Sequence, residues 1–384
     1  MNGLRKFVDK IKPHFEKGGR FSYLHSTFDA FETFLFVPNL TTRMGSHIRD
    51  YIDMKRTMSF VVIALIPILL FGMWNVGYQH FLSMGESVTL WENFLFGLGK
   101  VLPIVVVSYA VGLGIEFIFA QIRGHEVNEG FLVSGMLIPL VLPPDVPLWM
   151  VALATAFAVI IGKEVFGGTG MNLLNPALTA RAFLFFAYPS DMSGDKVWIH
   201  SQGDAISGAT PLGNLLTGHM PTASASDMFW GFIPGSIGET STFLILIGAL
   251  FLIITGVGSW RIMVSVFAGG FGLAALFCAI APYIAPDNAY MALPPWYHLI
   301  MGGFAFGAVY MATDPVTAAQ TNRGKWIYGV LIGVMAVLIR VLNPAYPEGM
   351  MLAILLLNVF APLIDHYVVE ANIKKRLKRI PVKA

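Results

Sequence analysis

The chain has 384 residues, of which 55% are hydrophobic and only 12% are charged, and its formal net charge is +2. Soluble domains carry about 25% charged residues, so this composition excludes an ordinary water-soluble protein. The small net charge gives no indication of a nucleic acid as partner. The only cysteine, Cys278, excludes an internal disulfide and an all-cysteine metal or iron–sulfur site, and no metal centre is predicted.

A polar N-terminal arm, residues 1–56, precedes a series of apolar segments. A helix needs about 20 apolar residues to cross a bilayer core of about 30 Å. Ten segments meet or approach this length, over 57–78, 94–120, 128–142, 147–166, 173–189, 241–258, 261–283, 296–313, 326–342 and 349–368. The third, fifth and ninth are short or interrupted, which is compatible with broken or re-entrant helices. We predict an all-α polytopic membrane protein with about ten transmembrane helices.

The distribution of charge predicts the orientation of these helices. If the N-terminus is cytoplasmic, the segments on that side contain nearly all Lys and Arg residues, including the basic tail 369–384. The opposite segments contain ten acidic residues and the single basic residue Lys196. Because short cytoplasmic loops are enriched in Lys and Arg, both termini are predicted to be cytoplasmic and the long loop 190–240 external.

Two short motifs occur twice in the same order. Leu-Pro-Pro precedes a span and Asn-Pro or Asp-Pro follows it, at Leu142-Pro143-Pro144 and Asn175-Pro176, and again at Leu293-Pro294-Pro295 and Asp314-Pro315. Many transporters are built from repeats with sites at the repeat interface. The pattern predicts two five-helix halves, 57–189 and 241–368. Whether they are parallel or inverted stays open.

Four ionisable residues fall inside predicted spans: Glu116, Arg181, Arg340 and Asp365. Charges at membrane depth are costly, and by default they are candidates for function. Glu116 and Asp365 are therefore candidates for ion or quinone binding. The alternative is that each acid forms a structural ion pair with Arg181 or Arg340.

Two further patterns have a packing interpretation. Phe304, Phe306 and Tyr310 form an aromatic stripe, which is either core packing or a hydrophobic constriction on an ion path. Lys163 and Glu164 lie at a span end, where they could form an interfacial pair.

The external loop contains Ser207-Gly208-Ala209-Thr210, followed by Pro211-Leu212-Gly213. Small residues around Thr210 present its hydroxyl at a tight turn and leave room for a bulky group to approach. By itself, such a stretch is more typical of an ordinary polar loop.

The Ser207–Thr210 motif is informative only together with other sequence blocks of the chain. Together with further blocks, it resembles the NqrB/RnfD family, membrane subunits of the sodium-translocating NADH:quinone oxidoreductases and of the Rnf ferredoxin:NAD oxidoreductases. The resemblance runs from about Arg43 to Arg376 and includes Arg123–Gly130, Lys163–Gly170, Asn172–Ala177, Gly302–Gly307, Met311–Pro315 and Asn343–Gly349. The arm of more than 50 residues resembles the B subunits more than the D subunits.

The resemblance implies two flavins. Thr210 would carry FMN through a phosphoester bond installed by a separate flavin transferase. Asn175 and Asp314 would bind a riboflavin near the cytoplasmic side. For these two residues the alternative is a helix cap or an Asx-turn before proline, since both precede one.

The resemblance also implies a function. The chain would be part of a translocase in a bacterial inner membrane, assembled with the A, C, D, E and F subunits, passing electrons toward quinone and exporting Na⁺. In the family, a glycine-rich helix with a glutamate at the position of Glu116 is linked to quinone and sodium effects. The apolar glycines form no dinucleotide-binding fingerprint, so NADH oxidation would belong to another subunit and this chain alone would not be active. The rivals are a D-type Rnf subunit and a transporter or channel without redox chemistry.

Overall fold

The computed structural model describes residues 2–379 apart from 17, 37–41, 43, 49–51, 125–129, 195–196, 201–207, 217, 219, 287, 344–345 and 347. Within these residues the chain is helical and contains no strand. The helices are α1 (Asn2–Ile11), α2 (His25–Leu35), α3 (Met54–Met84), α4 (Leu90–Arg123), α5 (Phe131–Leu140), α6 (Leu148–Ile160), α7 (Pro176–Ala187), α8 (Pro189–Met192), α9 (Pro211–Leu216), α10 (Ala225–Trp230), α11 (Thr242–Ile254), α12 (Trp260–Ile284), α13 (Ala289–Ala292), α14 (Pro295–Ile300), α15 (Phe304–Phe306), α16 (Asn322–Leu342) and α17 (Met350–Leu377).

Six of the described helical segments are long and apolar enough to cross a membrane: α3, α4, Leu148–Phe166, α12, α16 and α17. Between 28% and 50% of each apolar window is buried within the protein, so much of each helix presents apolar side chains outward. A multi-pass membrane protein accounts for this, because lipid can cover such surfaces whereas water would not. The predicted all-α membrane architecture is confirmed.

The four remaining predicted spans coincide with shorter helical segments. Three of them form α5, α7 and α11, which have 10, 12 and 13 residues. The eighth is interrupted: α14 ends at Ile300, Gly302 adopts a positive φ of 60°, and α15 continues as a π-helical turn over Gly307–Met311. The count of ten spans and the division into two five-helix halves therefore stay predictions.

The long helices approach one another closely at glycines. In the α3–α4 pair, a Cβ on Gly97 would overlap the carbonyl oxygen of Met73, and one on Gly77 would overlap the backbone of Asn93. In the α12–α16 pair, a Cβ on Gly333 would overlap the carbonyl oxygen of Val266. Small residues permit such contact between membrane helices, where van der Waals packing is a main source of association.

A proline in α5 shows how a broken backbone hydrogen bond is replaced. Pro139 has no N–H to donate to the carbonyl oxygen of Gly135, four residues earlier. The hydroxyl of Ser108 in α4 donates to this oxygen instead, at 3.0 Å, and both residues are buried. The bond ties α4 to α5 and lets the short helix end inside the protein without an unsatisfied acceptor.

Candidate functional site

Thr210 lies immediately before α9, and its side chain is half-buried. Its Oγ1 accepts a hydrogen bond from the backbone N–H of Gly213 at 3.1 Å, and its carbonyl oxygen accepts one from Asn214 at 3.0 Å. The threonine therefore begins the helical turn that follows it, in the manner of an N-cap. Ser207, the first residue of the predicted motif, lies outside the described residues.

A cavity of about 280 Å³ adjoins Thr210, and we call it the Thr210 cavity. Besides Thr210 its lining includes Arg181, Phe185, Trp198, Ser236, Glu239, Thr240, Tyr346 and Glu348. Aromatic rings and hydrogen-bonding groups thus face the same space. Thr240 is 3% exposed, and its Oγ1 is buried without a hydrogen-bond partner. Such a wall fits a planar heteroaromatic group with polar edges, such as a flavin.

Arg181 joins two acidic residues in the wall of this cavity. Its guanidinium group lies 2.6 Å from Glu239 and 2.5 Å from Glu348, and it also contacts the hydroxyl of Ser236. The hydroxyl of Tyr346 donates to Glu348 at 3.3 Å. The alternative in which Arg181 pairs with Glu116 or Asp365 is not observed, because α7 places its guanidinium beside the loops that precede α11 and α17.

The electrostatics of this cluster are dominated by burial. Burial raises the pKa of the Glu239 carboxyl, which lies in the loop before α11; Arg181 opposes this rise and the charge of Glu348 adds to it. In the sequence, Glu239 and Glu348 are distinguished only as external acids. Glu348 also belongs to the Asn343–Gly349 block, which gives a sequence signal for it as a site residue, whereas Glu239 belongs to none of the quoted blocks.

Arg340, the second arginine in the predicted spans, donates to backbone carbonyls. Its guanidinium group donates to the oxygens of His298 at 2.7 Å, Met301 at 3.2 Å and Glu348 at 3.3 Å. The alternative in which Arg340 pairs with Glu116 or Asp365 is likewise not observed. Arg340 instead satisfies carbonyl groups that the break after α14 leaves without helical partners.

Asn175 and Asp314 both form the local bonds expected before proline. Oδ1 of Asn175 accepts from the N–H groups of Ala177 and Leu178 and so caps α7. Asp314 accepts from the N–H of Val316 at 3.1 Å and from the hydroxyl of Thr317 at 2.9 Å. The capping interpretation is therefore correct, but it does not exclude a ligand, since both residues also face a cavity.

This second cavity, which we call the Asn175 cavity, has a volume of about 110 Å³. Its polar lining includes Thr57, Ser134, Lys163, Thr169, Asn172, Asn175, Tyr310, Thr313 and Asp314. The structure thus brings together the two residues that the resemblance selected, although they are far apart in the chain. It adds Lys163 and Asn172, which sequence reasoning had not placed in the site.

Glu116 forms a buried ion pair with Lys163, and both side chains are 4% exposed. The next residue, Glu164, pairs with Arg123 at 3.0 Å. The alternative that Glu116 forms a structural ion pair is therefore correct, but its partner is Lys163 and not Arg181 or Arg340, and Lys163 and Glu164 do not pair with each other. Lys163 precedes the 3₁₀ helix Glu164–Phe166 and Glu164 begins it, and the two side chains reach different residues of α4, Glu116 and Arg123. The block Arg123–Gly130 continues through 125–129, outside the described residues.

Asp365 belongs to α17, and its carboxylate lies against the N-terminus of α16 rather than in a buried ion pair. Its carboxylate accepts from the N–H groups of Gln320 at 2.6 Å and Thr321 at 3.0 Å, and from the hydroxyl of Thr321 at 2.5 Å. Thr321 in turn caps α16. A carboxylate is favourable there because the helix dipole is positive at the N-terminus. The structure therefore gives Asp365 an anchoring role between α17 and α16.

We expect Asp365→Ala to lower the free energy of unfolding by about 2 kcal/mol, since hydrogen bonds to a charged group are lost. Thermal unfolding of the purified chain in detergent measures the change. Glu370→Gln on the same helix removes only the exposed pair with Lys374 and should have no measurable effect. Unchanged stability in Asp365→Ala, with an altered sodium dependence of the complex, would contradict the anchoring role and support ion binding.

The aromatic stripe is buried. Phe304 and Phe306 are fully buried, and the rings of Phe306 and Tyr310 have centroids 5.1 Å apart. The hydroxyl of Tyr310 donates to the carbonyl oxygen of Ala64 at 3.2 Å. Core packing therefore describes Phe304 and Phe306, whereas Tyr310 also lines the Asn175 cavity. The constriction on an ion path stays a prediction.

Several segments reach both cavities. Helix α7 begins beside the Asn175 cavity and presents Arg181 to the Thr210 cavity six residues later, an axial rise of about 9 Å. The segment from Gly302 to Tyr310 similarly connects the two. The two cavities thus share α7 and the segment from Gly302 to Tyr310 in their walls.

Comparison with known proteins agrees with the resemblance found in the sequence blocks. Residues 41–374 match the NQR2, RnfD, RnfE family. Three similar relatives, each named as the B subunit of a Na(+)-translocating NADH-quinone reductase, come from Ectopseudomonas mendocina (strain ymp), Stutzerimonas stutzeri (strain A1501) and Chromohalobacter salexigens, with 50%, 49% and 49% identity. Each alignment covers 98% of this chain, and 99%, 99% and 97% of the respective relative. The chain belongs to the NQR2, RnfD, RnfE family.

Proposed function

We propose that this chain is the membrane-embedded B subunit of a sodium-translocating NADH:quinone reductase. The observation that carries the proposal is the similarity to relatives of that name along nearly the whole length of both chains. The D-type Rnf subunit and a transporter without redox chemistry are less well supported, because these relatives are named as B subunits of the reductase. The chain would work only with its partners, the A, C, D, E and F subunits.

Thr210 is the proposed attachment site of FMN, through a phosphoester formed by a separate flavin transferase. The flavin supplies one-electron and two-electron chemistry, while the protein supplies position. Thr210 would hold the phosphate at the mouth of the Thr210 cavity. The aromatic side chains of Phe185, Trp198 and Tyr346 would pack against the ring system, and the unpaired Oγ1 of Thr240 supports a polar ligand there.

The Asn175 cavity is the proposed site of a riboflavin. Asn175 and Asp314 line it together with Asn172 and Lys163, so that donors and acceptors for a heteroaromatic ring are both present. Because α7 and the segment from Gly302 to Tyr310 line both cavities, the two proposed sites belong to one packed unit, and electrons would pass from the first flavin to the second. From there, electrons would go to quinone.

The proposed topology places both termini in the cytoplasm of a bacterium and the Thr210 loop outside the inner membrane. It rests on the distribution of Lys and Arg along the sequence. Ten spans in two five-helix halves would follow from counting the short helices α5, α7, α11 and the broken segment after α14 as crossings. Na⁺ would move outward along a path in or beside this chain, with Glu116 as the buried candidate for ion or quinone effects.

The direct experiment is quinone reduction by the purified complex that contains this chain, with NADH as donor and NaCl varied against choline chloride. We expect NADH-dependent quinone reduction that Na⁺ stimulates. A complex whose activity is the same without Na⁺, or a chain that assembles with no partner subunit when all of them are produced together, would overturn the proposed function.

We expect Asn175→Ser to lower the content of non-covalent flavin several-fold while the covalent flavin is retained. Serine caps helices about as well as asparagine, so the change removes the amide group without removing the cap. Extraction of the denatured complex, followed by chromatography of the released flavin, measures the content. Asn288→Ser is the matched control, because Asn288 caps α13 and does not line this cavity. Full retention of the non-covalent flavin in Asn175→Ser would mean that Asn175 only caps α7 and does not bind the flavin.

A further inference from the structure

Lys163 is the basic residue of the Asn175 cavity. Among the described residues that line the cavity, it is the only lysine or arginine, and Asp314 is the only carboxylate. Its ammonium group is buried and pairs with Glu116 of α4, which does not itself line the cavity. Lys163 therefore stands between a buried acid and the space proposed for a ligand.

The backbone around Lys163 is held independently of that ion pair. Arg123 binds both the carboxylate of Glu164 at 3.0 Å and its carbonyl oxygen at 2.7 Å. The N–H of Gly168 donates to the carbonyl oxygen of Lys163 at 3.1 Å, and Gly167 turns the chain with a φ of 122°. The turn fixes the position of the Lys163 backbone, and the ion pair with Glu116 fixes the position of its ammonium group.

A buried lysine is costly unless its charge is compensated. Glu116 supplies that compensation here, so the cavity is bordered by an ammonium group whose charge a carboxylate outside the cavity partly offsets. A flavin gains electron density at its pyrimidine edge on reduction, and charges near that edge tune its electronics. A fixed ammonium group is suited to that edge because the interaction strengthens in a medium of low dielectric constant.

We propose that Lys163 is a positioning residue for the ligand of the Asn175 cavity, and that Glu116 acts on this ligand through Lys163. With a flavin bound, the ammonium group would border its electron-rich edge and favour added negative charge there. Glu116 orients the ammonium group and weakens its effect by sharing its charge. The inference rests on the proposed riboflavin site, and it adds a residue that neither the motifs nor the relatives assign.

The proposal predicts opposite effects for the two partners. Removing the positive charge in Lys163→Gln should lower the midpoint potential of the non-covalent flavin, whereas removing the negative charge in Glu116→Gln should raise it. A tenfold change in the one-electron equilibrium corresponds to about 59 mV, and we expect shifts of this order. The double variant Glu116→Gln/Lys163→Gln should return close to the unmodified potential, and Lys163→Arg should stay near it.

Spectroelectrochemical titration of the purified complex measures these potentials. Glu164→Gln is the matched control, because Glu164 belongs to the adjacent ion pair on the same turn and does not line the cavity. If Lys163→Gln does not fold, the double variant, Glu116→Gln and Lys163→Arg still decide the question. Loss of the flavin from Lys163→Gln with retention in Lys163→Arg would also support the role.

Two results would overturn the inference. One is an unchanged potential in Glu116→Gln, or a double variant whose potential departs from the unmodified value as far as that of Glu116→Gln does. The other is a shift in the potential of Glu164→Gln as large as that of Glu116→Gln. It would mean that the conformation of the turn, and not the charge of Lys163, determines the potential. An unmodified complex that contains no non-covalent flavin would instead overturn the proposed riboflavin site itself, so the two failures are distinguishable.

Discussion

Thr210→Ala should abolish the covalent flavin completely. The purified, denatured chain should then show no in-gel flavin fluorescence under ultraviolet light, whereas the unmodified chain from cells that contain the flavin transferase should fluoresce. The physical reason is that a phosphoester needs the hydroxyl oxygen, and alanine has none. Because the hydroxyl accepts only one backbone hydrogen bond in the described structure, its loss should cost little stability.

Two variants make this result interpretable. Thr210→Ser keeps a hydroxyl at the same position and should retain at least part of the fluorescence. Thr222→Ala, at an exposed threonine in the same external segment, should retain all of it. Fluorescence that persists in Thr210→Ala would mean that the covalent flavin is attached to another residue. An unmodified chain without flavin fluorescence would contradict the redox interpretation of the Thr210 cavity.

Arg181→Met should destabilise the protein by about 3–5 kcal/mol, because it leaves Glu239 and Glu348 without their shared cation in a buried site. The expected observation is a marked fall in the thermal unfolding temperature of the chain in detergent, or a loss of assembled complex. The size of the effect follows from burial, since the side chains of Arg181 and Glu239 are only 5% and 7% exposed.

Neutralising the acids together with the arginine tests this explanation. Arg181→Met/Glu239→Gln/Glu348→Gln contains no unpaired buried charge and should regain most of the lost stability. Lys374→Gln breaks an ion pair of exposed side chains on α17 and serves as the control, with no measurable change expected. An Arg181→Met variant as stable as the unmodified chain would show that the cluster is not held by its charges.

The membrane architecture was predictable from the sequence because it depends on local composition. Segments such as 57–78 and 94–120 became the long helices α3 and α4, since an apolar run in a bilayer has no other way to satisfy its backbone groups. Hydropathy underestimated their length, however. Helix α4 runs from Leu90 to Arg123, because Thr89 and Glu92 form a capping box at its start and Gly124 ends it in a left-handed conformation.

The candidate site residues were predictable to the extent that sequence blocks contained them. Thr210, Asn175 and Asp314 came from such blocks, and the structure places each of them at a cavity. The local roles of Asn175 and Asp314 as caps and turns also followed from the residue types and the prolines. No local pattern could show that Asn175 and Asp314 face the same space, since 139 positions in the sequence separate them.

Ion pairing could not be predicted in the same way. Hydropathy identified Glu116, Arg181, Arg340 and Asp365 as costly buried charges, but the two arginines considered as alternative partners of the two acids pair with neither of them. Pairing depends on which helix faces which, and on the direction in which a loop turns, and neither is encoded in hydropathy.

Local composition and motifs thus established that this chain lies in the membrane and presents Thr210 in a loop. The packing of α4, α7 and the loops before α11 and α17 was needed to bring Lys163 to Glu116, and Arg181 to Glu239 and Glu348. The physical reason is that a buried charge is compensated by whichever opposite charge the fold brings within hydrogen-bonding distance.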